Sequence, residues 1–175
     1  MRYAVVFAVL SIGLTAQADD KAEKKYTSKE GGFAVQFPTE GKVKTMDQKA
    51  PGGITVKATS VEVDKKAYAV IFTMFPEGTL KLIPAKTIFD GAEQGAASKG
   101  AKKVSAKDLE FGKEKFPGRE LVVENDGKYI RTQMIIADPK LYIVTVSGTK
   151  EFTTGKEGND FLKSFEIVKP AKSDE

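Results

Sequence analysis

Two carboxylates and one arginine are the residues of this chain whose types and spacing could perform chemistry. Glu120 and Glu124 lie four residues apart, and Arg131 follows them. If Asp126-Gly127 forms a two-residue hairpin turn, all three side chains share one sheet face, with Arg131 between the two acids. Paired carboxylates of this kind could flank a substrate, as the two acids of a glycosidase do. We favour the other interpretation, in which they neutralise Arg131.

The same predicted face carries further polar side chains that could hold a ligand. Tyr129 offers an aromatic ring for stacking, and Gln133 offers an amide. Together with Glu120 and Arg131, these residues form the predicted ligand-binding site. Arg119 either starts the strand or holds an anionic group of a ligand.

The chain contains no His and no Cys, which excludes the commonest catalytic and metal sites. Triads that depend on His, zinc sites that contain His and disulfides are all impossible. A general acid or base would have to be a carboxylate or a lysine with a shifted pKa. Residues 124–127 collect oxygen atoms that a hard cation could bind, but they fit a hairpin turn better. We therefore predict no catalytic residue, no metal site and no cofactor.

Alternating apolar residues bounded by turn residues predict an antiparallel sheet. Asp126-Gly127 is a strong hairpin signal, because both residues of such a loop need positive φ. About seven strands are expected, and the clearest lie at residues 32–38, 54–63, 67–75, 121–124, 129–136 and 141–146. The phenylalanines at apolar positions are expected in the core: Phe33, Phe37, Phe72, Phe75, Phe89, Phe161 and Phe165.

The predicted register separates two sheet faces. Val122 pairs with Arg131 across the hairpin, so one face is apolar and the other is polar and partly open to solvent. If the next loop consists of residues 138–140, Thr145 and Ser147 join the polar face. The core face carries Leu121, Val123, Ile130, Met134 and Ile136.

Two helices interrupt the predicted strands. Apolar residues at helical spacing place the first at about residues 84–99. The second is expected at about residues 155–165, where Thr154 and Glu157 fit a capping box. Helices that flank an antiparallel sheet of about six to seven strands define an α+β fold.

The first 18 residues predict export. Arg2 gives a positive start, residues 4–14 are apolar, and the small residues around Gln17 indicate signal cleavage after Ala18. This stretch is too short to cross a bilayer. We expect a secreted or periplasmic protein, without the Cys that a bacterial lipid anchor requires. The absence of Cys in an exported chain favours a bacterial source.

Four segments follow from these patterns. Residues 1–18 form the signal peptide, and residues 19–30 form a flexible N-terminal segment. Residues 31–168 form a single domain, and residues 169–175 form a C-terminal tail. We expect a monomer without a transmembrane segment.

The charge balance argues against nucleic acid as a partner. The chain has 28 basic and 24 acidic residues, which gives a net charge of +4. Its lysines are scattered among the acids, and Arg119 and Arg131 are the arginines left after signal cleavage. Nucleic-acid-binding proteins instead concentrate Arg and Lys on one face. Weak attraction to an anionic polymer remains an alternative.

Three motifs in order resemble the PsbP-like family of small secreted or lumenal proteins. Residues 32–38 have the pattern Gly-Phe-x-Val-x-Phe-Pro, residues 117–121 are Pro-Gly-Arg-Glu-Leu, and residues 161–167 are Phe-Leu-Lys-Ser-Phe-Glu-Ile. The likeness covers residues 26–168. It implies an α/β/α sandwich around an antiparallel sheet and an accessory or binding role. The metal-binding and photosystem contacts of the plant members have no positions here.

The leading hypothesis from the sequence is a non-enzymatic secreted accessory or binding protein. Its partner, a protein or a small molecule of unknown identity, would contact the polar face at Glu120, Tyr129, Arg131 and Gln133. Two alternatives stay open. One is a hydrolase based on carboxylates or on a Ser-Lys pair, which needs no His. The other is an envelope protein that binds anionic polymer.

Overall fold

The computed structural model describes residues 25–50, 54–97 and 99–168. The predicted signal peptide with its cleavage site at Ala18, and the predicted tail at 169–175, lie outside the described residues. The α-helices within them are α1 (Ala85–Ala97), α2 (Lys150–Thr154) and α3 (Lys156–Ser164), and a short 3-10 helix spans Thr79–Lys81. The strands are β1 (Tyr26–Ser28), β2 (Phe33–Val35), β3 (Lys44–Ala50), β4 (Ile54–Val63), β5 (Lys66–Met74), β6 (Lys102–Phe111), β7 (Phe116–Asn125), β8 (Lys128–Ala137), β9 (Lys140–Gly148) and β10 (Glu166–Ile167).

In the described part of the chain, the strands form two antiparallel sheets. The large sheet has seven strands in the order β3-β4-β5-β9-β8-β7-β6, and the small one has three in the order β1-β2-β10. Because β9 inserts between β5 and β8, the sheet is not a simple meander. The predicted α+β class with a sheet of six to seven strands and flanking helices is confirmed.

Each face of the large sheet packs against other elements, so the molecule is layered. One face, here called the α3 face, packs against the small sheet and α3, with Tyr68, Val144, Phe33 and Phe161 in one core cluster. The other, the α1 face, packs against α1 in a second cluster. Of the seven phenylalanines predicted in the core, Phe75 is partly buried against the second cluster, and six are buried: Phe33, Phe37, Phe72, Phe89, Phe161 and Phe165.

The hairpin register around Asp126-Gly127 is confirmed. Asn125 pairs with Lys128 and Val122 pairs with Arg131, and both turn residues have positive φ. The prediction that the second face is an open polar surface is wrong. That face is the α3 face, and it contributes Ile135, Val144 and Val146 to a buried cluster.

The face assigned to Thr145 and Ser147 is also wrong, because the next loop is one residue shorter than predicted. Ala137 pairs with Lys140, so the turn consists of Asp138 and Pro139 alone. A shift of one residue moves every side chain of the following strand to the other face. Thr145 therefore pairs with Thr132 on the α1 face, and their hydroxyl oxygens lie 2.9 Å apart.

The second helix predicted at about residues 155–165 is confirmed as α3, while the short helix α2 just before it was not predicted. Thr149 caps α2 by accepting a hydrogen bond from the Phe152 amide at 3.3 Å. Gly155 precedes α3 without a side-chain cap. The proposed capping box at Thr154 and Glu157 is therefore wrong. Glu157 reaches the sheet instead.

Four strands were not predicted from the sequence: β1, β3, β6 and β10. Strand β6 is an edge strand with most residues exposed on both sides, and β3 forms the opposite edge. An edge strand exposed on both faces shows no apolar alternation. Strand β1 lies within the segment at 19–30 that was predicted to be flexible, and it pairs with β2.

Candidate binding site

Arg131 links the large sheet to the helices that cover it. Its guanidinium donates to Glu120 Oε2 at 2.9 Å, to Asn159 Oδ1 at 2.7 Å and to the Thr153 carbonyl at 3.3 Å. Gln133 donates to the same Glu120 oxygen at 3.1 Å. The predicted ion pair between Glu120 and Arg131 is present and links β7 to β8. The other hydrogen bonds of Arg131 join these strands to α2 and α3.

The four predicted site residues lie on one face of β7 and β8, and the polar groups of Glu120, Arg131 and Gln133 bond to one another and to the helices. The side chains of Arg131 and Glu120 are 17% and 22% exposed. Glu124 is not in this network; it accepts a hydrogen bond from the Gly127 amide at 2.6 Å and closes the hairpin turn. Tyr129 is half-buried, and the Lys150 ammonium lies 6.0 Å from its ring centroid.

Arg119 lies in β7 on the α1 face and is surrounded by carboxylates. Its Nε donates to Asp108 at 2.6 Å, and its Nη1 donates to Asp90 at 2.8 Å and Glu93 at 3.0 Å. The guanidinium also lies 5.3 Å from the Phe89 ring centroid. The side chain is 9% exposed. Two carboxylates of α1 and one of β6 thus pair with Arg119 and offset its charge.

Two carboxylates of this cluster, those of Asp90 and Asp108, have lowered pKa values. Hydrogen bonds from Lys86 and then from Arg119 lower the pKa of Asp90, and the hydrogen bond from Arg119 lowers the pKa of Asp108. A general acid at neutral pH needs a pKa shifted in the opposite direction. These carboxylates are therefore suited to ion pairing and unsuited to proton donation.

A third polar group joins α3 to β5. The Tyr68 hydroxyl donates a short hydrogen bond to Glu157, and the Lys66 ammonium lies 2.7 Å from the same carboxylate. The hydrogen bonds from Lys66 and Tyr68 lower the pKa of Glu157. Burial, together with Glu157, raises the pKa of the Tyr68 phenol. This contact also attaches a helix to the sheet.

Lys140 is a desolvated lysine of the kind that a Ser-Lys hydrolase would need. Burial lowers its pKa. Its ammonium donates to the carbonyls of Glu30 and Gly31 at 2.7 and 3.0 Å, and the Tyr142 hydroxyl donates to the same Gly31 carbonyl at 2.7 Å. The partners of Lys140 are thus backbone oxygens that fix the loop between β1 and β2.

An open groove lies at one end of the large sheet, and we call it the turn groove. It lies between the β4–β5 turn at Asp64-Lys65 and the β7–β8 turn at Asp126-Gly127. Because β9 runs between β5 and β8, its last residue, Gly148, forms the floor between the two turns. The groove has a volume of about 530 Å³. It is lined by Glu62, Val63, Asp64, Lys65, Lys66, Ala67, Asp126, Gly127, Lys128, Gly148 and Thr149.

The rim of the turn groove carries free charges of both signs. Lys66 is paired with Glu157, and Glu62 lies 3.7 Å from Lys44. Among the described residues, Lys65 and Lys128 have no ion-pair partner, and neither do the two turn aspartates. Two free ammonium groups and two free carboxylates therefore surround the opening.

Both hairpins were predictable from the sequence, but the groove between them was not. Tyr129, at the start of β8, pairs with Gly148 and is the predicted site residue nearest to it in the sheet. The two turn sequences were visible signals. Their meeting depends on β9 lying between β5 and β8, which neither turn reveals.

No cluster of carboxylates within the described ranges has the arrangement of a metal site. The helices of the same residues are all too short or too polar to span a membrane.

Comparison with known proteins supports the fold. No protein-family model matches the chain, and no curated protein matches it. Among solved structures, it is similar to the solution structure of cyanobacterial PsbP (CyanoP) from Synechocystis sp., with a TM-score of 0.56 and 14% sequence identity. The match covers 90% of this chain and 99% of that chain. The expected PsbP-like fold is thereby confirmed, while membership of the family and a bacterial source stay predictions.

Proposed function

We propose that this protein is a non-enzymatic binding protein whose ligand lies in the turn groove. The observation that carries the proposal is the contrast between the polar clusters and the groove. The charged groups around Arg119, Arg131 and Glu157 are paired with one another. Lys65 and Lys128, in contrast, line an open cleft and have no ion-pair partner among the residues that the structure describes.

The ligand chemistry follows from the charges at the rim. Each of the two turns contributes one lysine ammonium and one aspartate carboxylate to the rim. This arrangement matches a ligand that itself carries charges of both signs, such as a peptide segment. The volume of about 530 Å³ is within the usual range of ligand sites, but the open shape suits an extended ligand better than an enclosed small molecule. This proposal moves the predicted site from Arg131 and Gln133 to the adjacent end of the sheet.

Export belongs to the same proposal. Residues 1–18 have the pattern of a signal peptide, so the ligand would be met in the periplasm or outside the cell. Mass spectrometry of the exported chain checks this point. A chain that starts at Asp19 supports it, and a chain that retains Met1 contradicts it.

A thermal-shift screen tests the groove. The panel contains peptide pools and dipeptides, with metals, sugars, nucleotides, lipids and acidic polymers as the other classes. A ligand at 100 times its Kd adds roughly 2.7 kcal/mol, which raises Tm by several degrees for a domain of this size. We expect a peptide hit that is lost when Lys65→Glu and Lys128→Glu are combined. Lys113→Glu, in the β6–β7 turn at the other end of the sheet, is the matched control.

Two other results would contradict the proposal. Turnover of ester, glycoside or peptide substrates that Lys140→Met or Glu120→Gln abolishes would establish the hydrolase alternative. Stabilisation by acidic polymers that disappears at modest salt would establish the anionic-polymer alternative.

A further inference from the structure

In the part of the chain that the structure describes, a portion of the α1 face has no covering element, although it is built from apolar residues. We call it the β3–β5 patch and define it by Met46, Val56, Ala58, Ala69 and Ile71. The register places these side chains on one face, since Met46 pairs with Ala58, and Ala58 pairs with Ile71. All five are half-buried, and within the described residues they belong to neither core cluster.

The composition of this patch is unusual for a sheet face in water. An antiparallel sheet with one open face normally places polar and charged residues there. This chain is 30% charged, yet the same face of β4 carries no charge from Ile54 to Ser60, and that of β5 carries none from Ala69 to Thr73. Charged residues appear at the border of the patch, where the Lys44 ammonium lies 3.7 Å from a Glu62 carboxylate oxygen. The patch therefore has the character of a covered surface.

Helix α1 covers the other half of this face. It packs on β7 and β6 through Ile88, Phe89 and Ala92, and its acids pair with Arg119. Beyond it, β3, β4 and β5 span about 10 Å between the outer strand axes, which equals the diameter of one helix. The uncharged stretch of β4 is about 20 Å long, the length of a helix of about 13 residues.

We propose that the β3–β5 patch docks one amphipathic helix of a partner protein, which lies beside α1. The area selects this occupant. Three strands over this length present about 300 Å², whereas a stable dimer buries about 800 Å² on each subunit. A second copy stacked on this patch would bury much less area than a stable dimer needs, whereas a single helix covers the patch fully. The proposal is independent of the turn groove.

Photo-crosslinking in cells that produce the full chain tests this docking. The photoreactive residue p-benzoylphenylalanine replaces Ile71, and the control replaces Lys107, an exposed residue of β6 on the far side of the sheet. We expect an adduct from position 71 that maps to a segment of another protein with apolar residues at i, i+3, i+4 and i+7. An adduct to lipid, to a second copy or to an extended segment overturns the proposal, as does no adduct above the control.

Substitutions that introduce a charge into the β3–β5 patch provide a second test of the docking. Ala58→Glu and Ala69→Lys each place a charge under the docked helix, and we expect each to reduce the adduct at least tenfold. Circular dichroism verifies the fold of both variants, and the Lys65→Glu and Lys128→Glu changes in the turn groove are expected to leave the adduct unchanged. An adduct that survives a charge in the patch of a folded variant refutes the docking site. Loss of groove binding alone refutes only the function proposed above.

Discussion

Removing Arg119 should destabilise the fold in a manner that depends on pH. Its side chain is 9% exposed and contacts Asp90, Glu93 and Asp108. Arg119→Met retains most of the packing on Phe89 but leaves three carboxylates without their shared cation. Removing one partner of a deeply buried ion pair costs about 3–5 kcal/mol.

The expected loss is smaller, because two of the three acids reach solvent. Asp90 is 39% exposed and Asp108 is 72% exposed, whereas Glu93 is 17% exposed. Solvent therefore screens much of the repulsion that the variant creates. We expect Arg119→Met to lower the free energy of unfolding by about 2–3 kcal/mol at pH 7. This loss corresponds to a fall in Tm of about 6–9 °C.

The pH profile distinguishes an electrostatic loss from a packing loss. Asp90 and Asp108 have lowered pKa values in the folded protein. Their contribution is therefore present above the unfolded pKa of about 3.9, and it is lost as the pH falls through the lower folded values. The difference between the natural chain and Arg119→Met should thus be constant from pH 7 to pH 5 and shrink below pH 4.

Urea unfolding at pH 7, 5 and 3, followed by circular dichroism, measures this difference. Lys107→Met is the matched control, because Lys107 is exposed on the neighbouring strand and should change stability by less than about 0.5 kcal/mol. If Arg119→Met is as stable as the natural chain, or if its deficit is the same at pH 3 as at pH 7, the electrostatic reasoning is refuted.

Three further outcomes follow from the same contacts. Thr149→Ala removes the α2 cap and should lower the free energy of unfolding, measured in urea, by about 1 kcal/mol, while Thr154→Ala should lower it by only a few tenths of a kcal/mol. Equal losses in the two variants would contradict the assignment of Thr149 as the cap. Burial raises the pKa of Tyr142 to about 12, so the free energy of unfolding should decline as the pH rises above about 10, the pKa of an unfolded tyrosine. Tyr142→Phe should flatten this decline, and ultraviolet titration of the folded chain should show a phenol that stays protonated above about pH 10. Ionisation of every tyrosine near about pH 10 in the folded chain would contradict the prediction. Arg131→Met should loosen α2 and α3 and raise amide exchange in these helices before the rest of the sheet, whereas uniform exchange would contradict a local role.

Local patterns were sufficient for the parts of the fold that short-range physics controls. The turn at Asp126-Gly127 was predictable because both positions require positive φ, which few residue pairs accept. The helix at Ala85–Ala97 was predictable from its apolar period. The Glu120–Arg131 ion pair followed from that hairpin register. In each case the interacting residues are close in sequence.

One loop shows how little separates a correct prediction from a wrong one. The sequence allowed either two or three residues in the turn at Asp138-Pro139, and the structure has two. That single residue decides which face Thr145 and Ser147 occupy, because side chains alternate along a strand. The cap predicted at Thr154 is wrong because Thr154 is the last residue of α2, the short helix that Thr149 caps.

The sequence by itself determined the class of fold, the turn at Asp126-Gly127, the helices α1 and α3, and the absence of His and Cys chemistry. Tertiary structure alone decided which surfaces are free. The insertion of β9 between β5 and β8 brings Asp64-Lys65 and Asp126-Gly127 together as the turn groove. The placement of α3 over Arg131 closes the face that its polar residues suggested was open. Both depend on contacts between residues far apart in the chain, whose pairing is set by the packing of whole elements rather than by any local pattern.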